Sequence, residues 1–170
     1  MNTSRNKIWY EFIQAKHNVE YLDEYIKFQI KLKNWFNVLI LIFSASGLMG
    51  LKIWVYMPEV ACVIITIISI VKLISPHIII SDDKLAKIGR FMGFYIDHAN
   101  DLEQLWDNIY WMKISEEQAQ EQYYKIKKTE KDSLIDMSLF GIREIKKLDN
   151  RARKRTCSYL NRMFNIQCSK

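Results

Sequence analysis

The spacing of hydrophobic and polar positions changes several times along this chain, and each change marks an element. Ile8, Phe12, Ala15, Val19, Leu22, Ile26 and Ile30 recur at alternating steps of four and three. That predicts an amphipathic helix with a seam suited to coiled-coil packing. It is expected to run through "KLKNWF" into residues 34–51, "NWFNVLILIFSASGLMGL", which carry no charge. As a helix this stretch would cover about 27 Å, close to the hydrocarbon thickness of a bilayer. After Lys52, "IWVYMPE" offers Trp54 and Tyr56 as interfacial anchors and Pro58 as a turn. A second apolar run, "VACVIITIISIVKLISPHIII" over residues 60–80, then leads back.

Helical spacing resumes beyond it. "SDDK" supplies acidic residues to a helix N-terminus, followed by Leu85, Ile88, Met92, Tyr95, Ala99, Leu102, Leu105 or Trp106, Ile109 and Met112 as its apolar positions. Gly89 and Gly93, one turn apart, would admit another backbone closely. Ser115 and Gln118 in "SEEQ" match a capping box, and Gly141 is expected to interrupt the helix that follows. The expected fold is therefore an all-α membrane protein, a two-span transmembrane hairpin flanked by long cytoplasmic amphipathic helices. Its segments are an N-terminal helix (1–33), the hairpin (34–80), cytoplasmic helices (81–140) and a basic tail (141–170). The competing arrangement, a buried helical hairpin in a soluble protein, leaves too little other apolar surface to cover two such helices.

Charge supplies an orientation. Lys and Arg are abundant before the first run and after the second, whereas the connection holds only Lys52, so both termini are expected on the cytoplasmic side. The polar residues 1–33 that precede the first run do not read as a signal peptide. All the basic excess lies in the tail, where residues 139–170 contain nine Lys or Arg against Glu144 and Asp149, a charge of +7 that leaves the rest of the chain at −1. The three isolated cysteines, Cys62, Cys157 and Cys168, suggest reduced thiols.

Within the second run Lys72 stands out. Its stem could lie along lipid and deliver the amine to the headgroups. Alternatively, Cys62, Thr66, Ser69 and Lys72 form a weakly polar stripe, with Asn37 facing it from the first span, and in an oligomer this set would line or gate a water-filled path. In the tail, Arg143, Lys146, Lys147, Arg151, Arg153, Lys154 and Arg155 are candidates for gripping a phosphate-bearing nucleotide or single-stranded oligonucleotide, with Tyr159 or Phe164 available for stacking. Anionic lipid, or a solvated charge run that only enforces topology, would use the same residues. No catalytic residue, metal site or cofactor is expected. His98 between Asp97 and Asp101 reads as a helix residue satisfied by its neighbours, and no phosphate loop, nucleophile elbow or CxxC occurs.

The order of these parts resembles the SLATT family of two-span effectors in prokaryotic antiviral systems. The resemblance rests on "AKHNVEYLDEYIKFQIKLKNW", the tight hairpin, and "YIDHANDLEQLWDNIYWMKISEEQAQEQY", and covers roughly residues 5–130. It implies an oligomeric pore in the bacterial inner membrane, a tetramer or similar small ring, gated from the cytoplasmic side by a nucleotide-derived or oligonucleotide ligand. It also implies a nucleotide-synthesising partner, a nucleotidyltransferase in systems of the Hailong type. The alternatives are a non-conducting anchor or scaffold for a cytoplasmic partner, and a phage holin.

Overall fold

The computed structural model describes residues 2–48, 58–138, 142 and 144–166, and among them the chain is wholly helical between its turns. The helices are α1 (Asn2–Leu48), α2 (Pro58–Ile78), α3 (Asp82–Tyr110), α4 (Glu116–Ser138) and α5 (Lys146–Phe164). Two starts are written in the side chains. At α3 the Lys84 amide donates to Ser81 Oγ at 3.4 Å, and Asp82 and Asp83 occupy the first turn. At α4 the Ser115 amide donates to Gln118 Oε1 at 3.0 Å while the Gln118 amide donates to Ser115 Oγ at 3.3 Å. That reciprocal pair is the capping box.

The stop of α3 is less comfortable. Lys113 N–H reaches back to Asn108 O at 2.9 Å, which places Met112 in the left-handed region at φ 54°. A side chain there is disfavoured and glycine is the usual occupant. Met112 is also exposed. Met112→Gly is therefore expected to stabilise the fold by about 0.5–1 kcal/mol, read as a rise in the urea midpoint, and Met112→Val to lower it.

The chain divides into two compact units, residues 1–26 with 86–170, and residues 27–85. In the first, α1 contributes Ile8, Phe12, Ala15, Leu22 and Tyr25 to a core shared with Ile88, Phe91, Tyr95, Ala99, Leu102 and Leu105 of α3. Ala119 and Tyr123 of α4 and Leu148, Ala152 and Leu160 of α5 complete it. At one end Trp9 stacks 4.8 Å from Trp106 and 5.0 Å from Phe164, and Phe12 lies 5.9 Å from Phe164. The seam of α1 is thus consumed within its own chain as far as Tyr25, whereas Ile30 is exposed. Phe91 was not among the expected apolar positions of α3 yet is buried, and Met112, which was, is exposed. An added Cβ at Gly89 or Gly93 would meet nothing within 4 Å, so neither glycine accommodates a close neighbour in this chain.

The second unit corrects the expected fold class. Among the described residues no helix is long and apolar enough to cross a membrane. The charge-free part of α1 within the described residues runs from Asn34 to Leu48, about 22 Å. In α2 the unbroken apolar stretch is Val60–Val71, about 18 Å, bounded by Glu59 and Lys72 and followed by Pro76 and His77. Both fall short of the ~30 Å a span requires. The transmembrane hairpin, the ion-channel reading and the multi-pass inner-membrane location fall with it. Residues 49–57, with Lys52, Trp54 and Tyr56, and likewise Gly141, Arg143 and Cys168, lie outside the described residues. One cysteine expectation also changes. Cys62 is free, whereas Cys157 is disulfide-bonded.

Candidate functional site

Among the described residues of 27–85, most of the aliphatic side chains face outward. Val38, Leu41 and Ile42 of α1 are exposed, as are Val63, Ile65, Ile67, Ile70, Leu73 and Ile74 of α2. Leu73 is 73% exposed. Cys62, Thr66, Ser69 and Lys72 do share one side of α2, and all four are exposed, as is Asn37 on α1. The hydroxyls of the stripe are already occupied. Thr66 donates to Cys62 O and Ser69 to Ile65 O, each at 2.8 Å. Nothing among the described residues ties Asn37 to this stripe. Among the described residues Lys33 links α1 to the carboxylate of Asp82, its amine 2.6 and 2.7 Å from the two oxygens. With both groups substantially exposed, such a pair contributes at most about 1 kcal/mol.

The basic tail takes shape as α5, and part of its charge is spoken for. Arg155 lies against an acidic face of α1, its Nε 2.9 Å from Glu20 and its Nη1 2.6 Å from Asp23 and 3.0 Å from Glu24. Arg151 approaches Glu24 at 3.6 Å. Asp149 accepts from Arg153 Nε at 2.7 Å and from His17 Nε2 at 2.9 Å. The Arg153 bond chiefly holds the Asp149 carboxyl below the usual range, burial opposing it and the His17 bond adding to it. The backbone joins in, with Ile145 N–H donating to Tyr21 Oη at 3.0 Å. Lys16 sits 4.0 Å over the ring of Tyr159, whose hydroxyl donates to Glu103 at 2.8 Å. Burial, reinforced by Glu103, pushes that phenol up to about 12. Lys146, Lys147 and Lys154 are left exposed, with no ion pair or hydrogen bond among the described residues. Of the seven expected ligand residues, then, three remain open, three are engaged to differing degrees, and Arg143 lies outside the described residues.

The acidic face that receives Arg155 escaped the sequence reading, although Glu20, Asp23 and Glu24 follow at steps of three and one, which puts them on one side of a helix. So did a half-buried polar network. Tyr123 Oη donates to Glu11 Oε1 at 2.6 Å, and Lys127 Nζ lies 2.6 Å from Glu130 and 3.1 Å from Glu11. Burial lowers the Lys127 ammonium, but its bonds to Glu130 and Glu11 outweigh that and leave its pKa raised.

His98 abuts this network, 3.9 Å from Glu130 Oε1 and stacked on Phe94. Burial holds its pKa below the ordinary value, with Lys127 adding to the effect and Glu130, Glu11 and Asp101 opposing it. The folded chain thus keeps His98 neutral where the unfolded chain would take a proton. The stability it contributes is complete above the unfolded pKa of about 6.5 and is lost as pH falls from there toward the lowered folded value. Urea midpoints at pH 7.5 and 5.5 should show that loss, and His98→Gln should reduce it. No group of three or more metal-ligating side chains occurs among the described residues, so Asp97, His98 and Asp101 form no metal set. Comparison with family models, curated proteins and solved structures found no match for the chain.

Proposed function

We propose that the chain is a non-enzymatic effector that works as a homo-oligomer, assembling through residues 27–85 and responding to a phosphate-bearing ligand on α5. The observation that carries this reading is the outward-facing aliphatic surface of α1 and α2, from Val38 to Ile42 and from Val63 to Ile74. Contiguous apolar surface of this kind marks an interaction site, and a lone chain in water leaves it uncovered. A second copy is the favoured occupant because α2 is sided. With Cys62, Thr66, Ser69 and Lys72 turned to water, its remaining aliphatic faces can pack on the same faces of other copies. The coiled-coil seam of the first unit is not available for this, since its own chain buries it as far as Tyr25.

For the ligand, the support is the open cations. Lys146, Lys147 and Lys154 lie on one short basic helix whose Arg151, Arg153 and Arg155 are engaged by carboxylates, and open cations of this kind suit phosphate groups. The resemblance to antiviral effectors adds the biological setting, a nucleotide or single-stranded oligonucleotide as ligand and a nucleotidyltransferase as its source. Light scattering on the full-length chain, with and without a short single-stranded oligonucleotide, tests both parts. The proposal expects a small closed assembly whose mass or stability shifts with oligonucleotide, less so at high salt. A monomer at tens of micromolar contradicts it. So does capture on lipid vesicles without self-association, which would assign the aliphatic surface to lipid.

A further inference from the structure

Arg155 makes more ion pairs than the docking of α5 requires. Three carboxylates of α1 converge on its one guanidinium, Glu20 at 2.9 Å, Asp23 at 2.6 Å and Glu24 at 3.0 Å. Glu24 also approaches Arg151 at 3.6 Å. Buried Leu148, Ala152 and Leu160 already seat α5 in the first unit, so its place in the fold does not hang on these pairs. Nor are the pairs closed off from water. The side chains of Arg155 and Arg151 are 43% and 54% exposed, and ion pairs so open to solvent add little to stability. A contact that gathers three like charges around one accessible cation is suited to exchange.

What stands beside the arginines defines the exchange partner. Lys147, Arg151 and Lys154 follow at steps of four and three and so share one face of α5, and Arg155 lies one turn beyond Arg151. Lys147 and Lys154 are exposed, with no ion pair among the described residues. A run of phosphates resting on these lysines passes both arginines, and a guanidinium fork donates to phosphate as well as to carboxylate. We propose that Glu20, Asp23 and Glu24 are a built-in competitor, occupying Arg155 and Arg151 until a ligand with several phosphates displaces them. Carboxylates on the same chain compete at a high effective concentration, so a ligand must be held at several points to replace them. The inference rests on the phosphate-ligand reading of α5 and adds to it autoinhibition by α1.

The test is a double-mutant cycle on the full-length chain, read as binding isotherms with a short single-stranded oligothymidylate. Glu20→Gln, Asp23→Asn and Glu24→Gln together should tighten binding about tenfold or more. They should also steepen the logarithmic salt dependence by about 0.7 for each arginine set free. Arg155→Gln should change the affinity of the wild type less than about twofold, because the phosphate it gains there only replaces carboxylates it loses. In the neutralised background the same substitution should cost about tenfold. Should the triple variant not fold, Glu24→Gln, which faces both arginines, carries the same cycle at a smaller gain. Binding by the neutralised chain no tighter than by the wild type, or an equal cost of Arg155→Gln in the two backgrounds, overturns the competitor and leaves the broader phosphate reading in place. Failure of both chains to bind oligothymidylate overturns both.

Discussion

Phe12→Ala should cost the first unit about 3–5 kcal/mol, a large share of the stability of a domain this size. Phe12 has no exposed surface and sits between α1 and α5, its ring 5.5 Å from Trp9, 6.5 Å from Tyr159 and 5.9 Å from Phe164. Truncation removes the transfer energy of the ring and opens a cavity that the surrounding packed side chains close only in part. The loss should appear as a lower urea midpoint with unchanged slope, since the unit still unfolds as one. Phe12→Leu should lose much less, because it refills most of the space. A Phe12→Ala variant within 1 kcal/mol of the wild type would mean that α5 does not pack on α1 as described.

Replacing Ile70 and Leu73 together by lysine should raise the dissociation constant of the assembly roughly a thousandfold. Both side chains are exposed in the single chain, so the substitutions take nothing from its own core. In the assembly each ammonium would be desolvated without a partner, at about 2 kcal/mol or more. Two such charges correspond to about three orders of magnitude in affinity. Sedimentation equilibrium reads the result directly. The first unit's urea midpoint should not move, which separates lost assembly from lost folding.

Much of the architecture was legible from local rules. The capping box of Ser115 and Gln118 and the acidic start at Asp82 act over four residues or fewer, and both helices begin where these rules place them. The α1 seam was legible for a related reason, since a strict four-three spacing can bury its residues only along one side. What it packs against was not legible. Spacing shows that Phe12 and Leu22 need a partner but leaves open whether the partner is another copy or α3 and α5 of the same chain.

The apolar stretches were misread for a physical reason. Of residues 34–51 only Asn34–Leu48 fall within the described residues, too short a stretch to span, and the uncharged run of α2 is interrupted at Lys72 before it becomes long enough. The basic tail illustrates the opposite difficulty. Its charge was visible, but charge alone does not reveal that Arg155 is held by carboxylates more than 130 residues away in sequence, while Lys154 beside it stays open.

Hydroxyl-radical footprinting of the full-length chain at tens of micromolar would ask most directly whether copies cover the aliphatic surface. Tyr10 and Trp111, well exposed in the first unit, serve as internal references. Self-association through residues 27–85 predicts that Ile65, Ile70 and Leu73 are labelled several-fold more slowly than their exposure in the single chain requires, and that dilution restores the rate. Labelling of these three at the full rate of exposed side chains, unchanged by dilution, would contradict it.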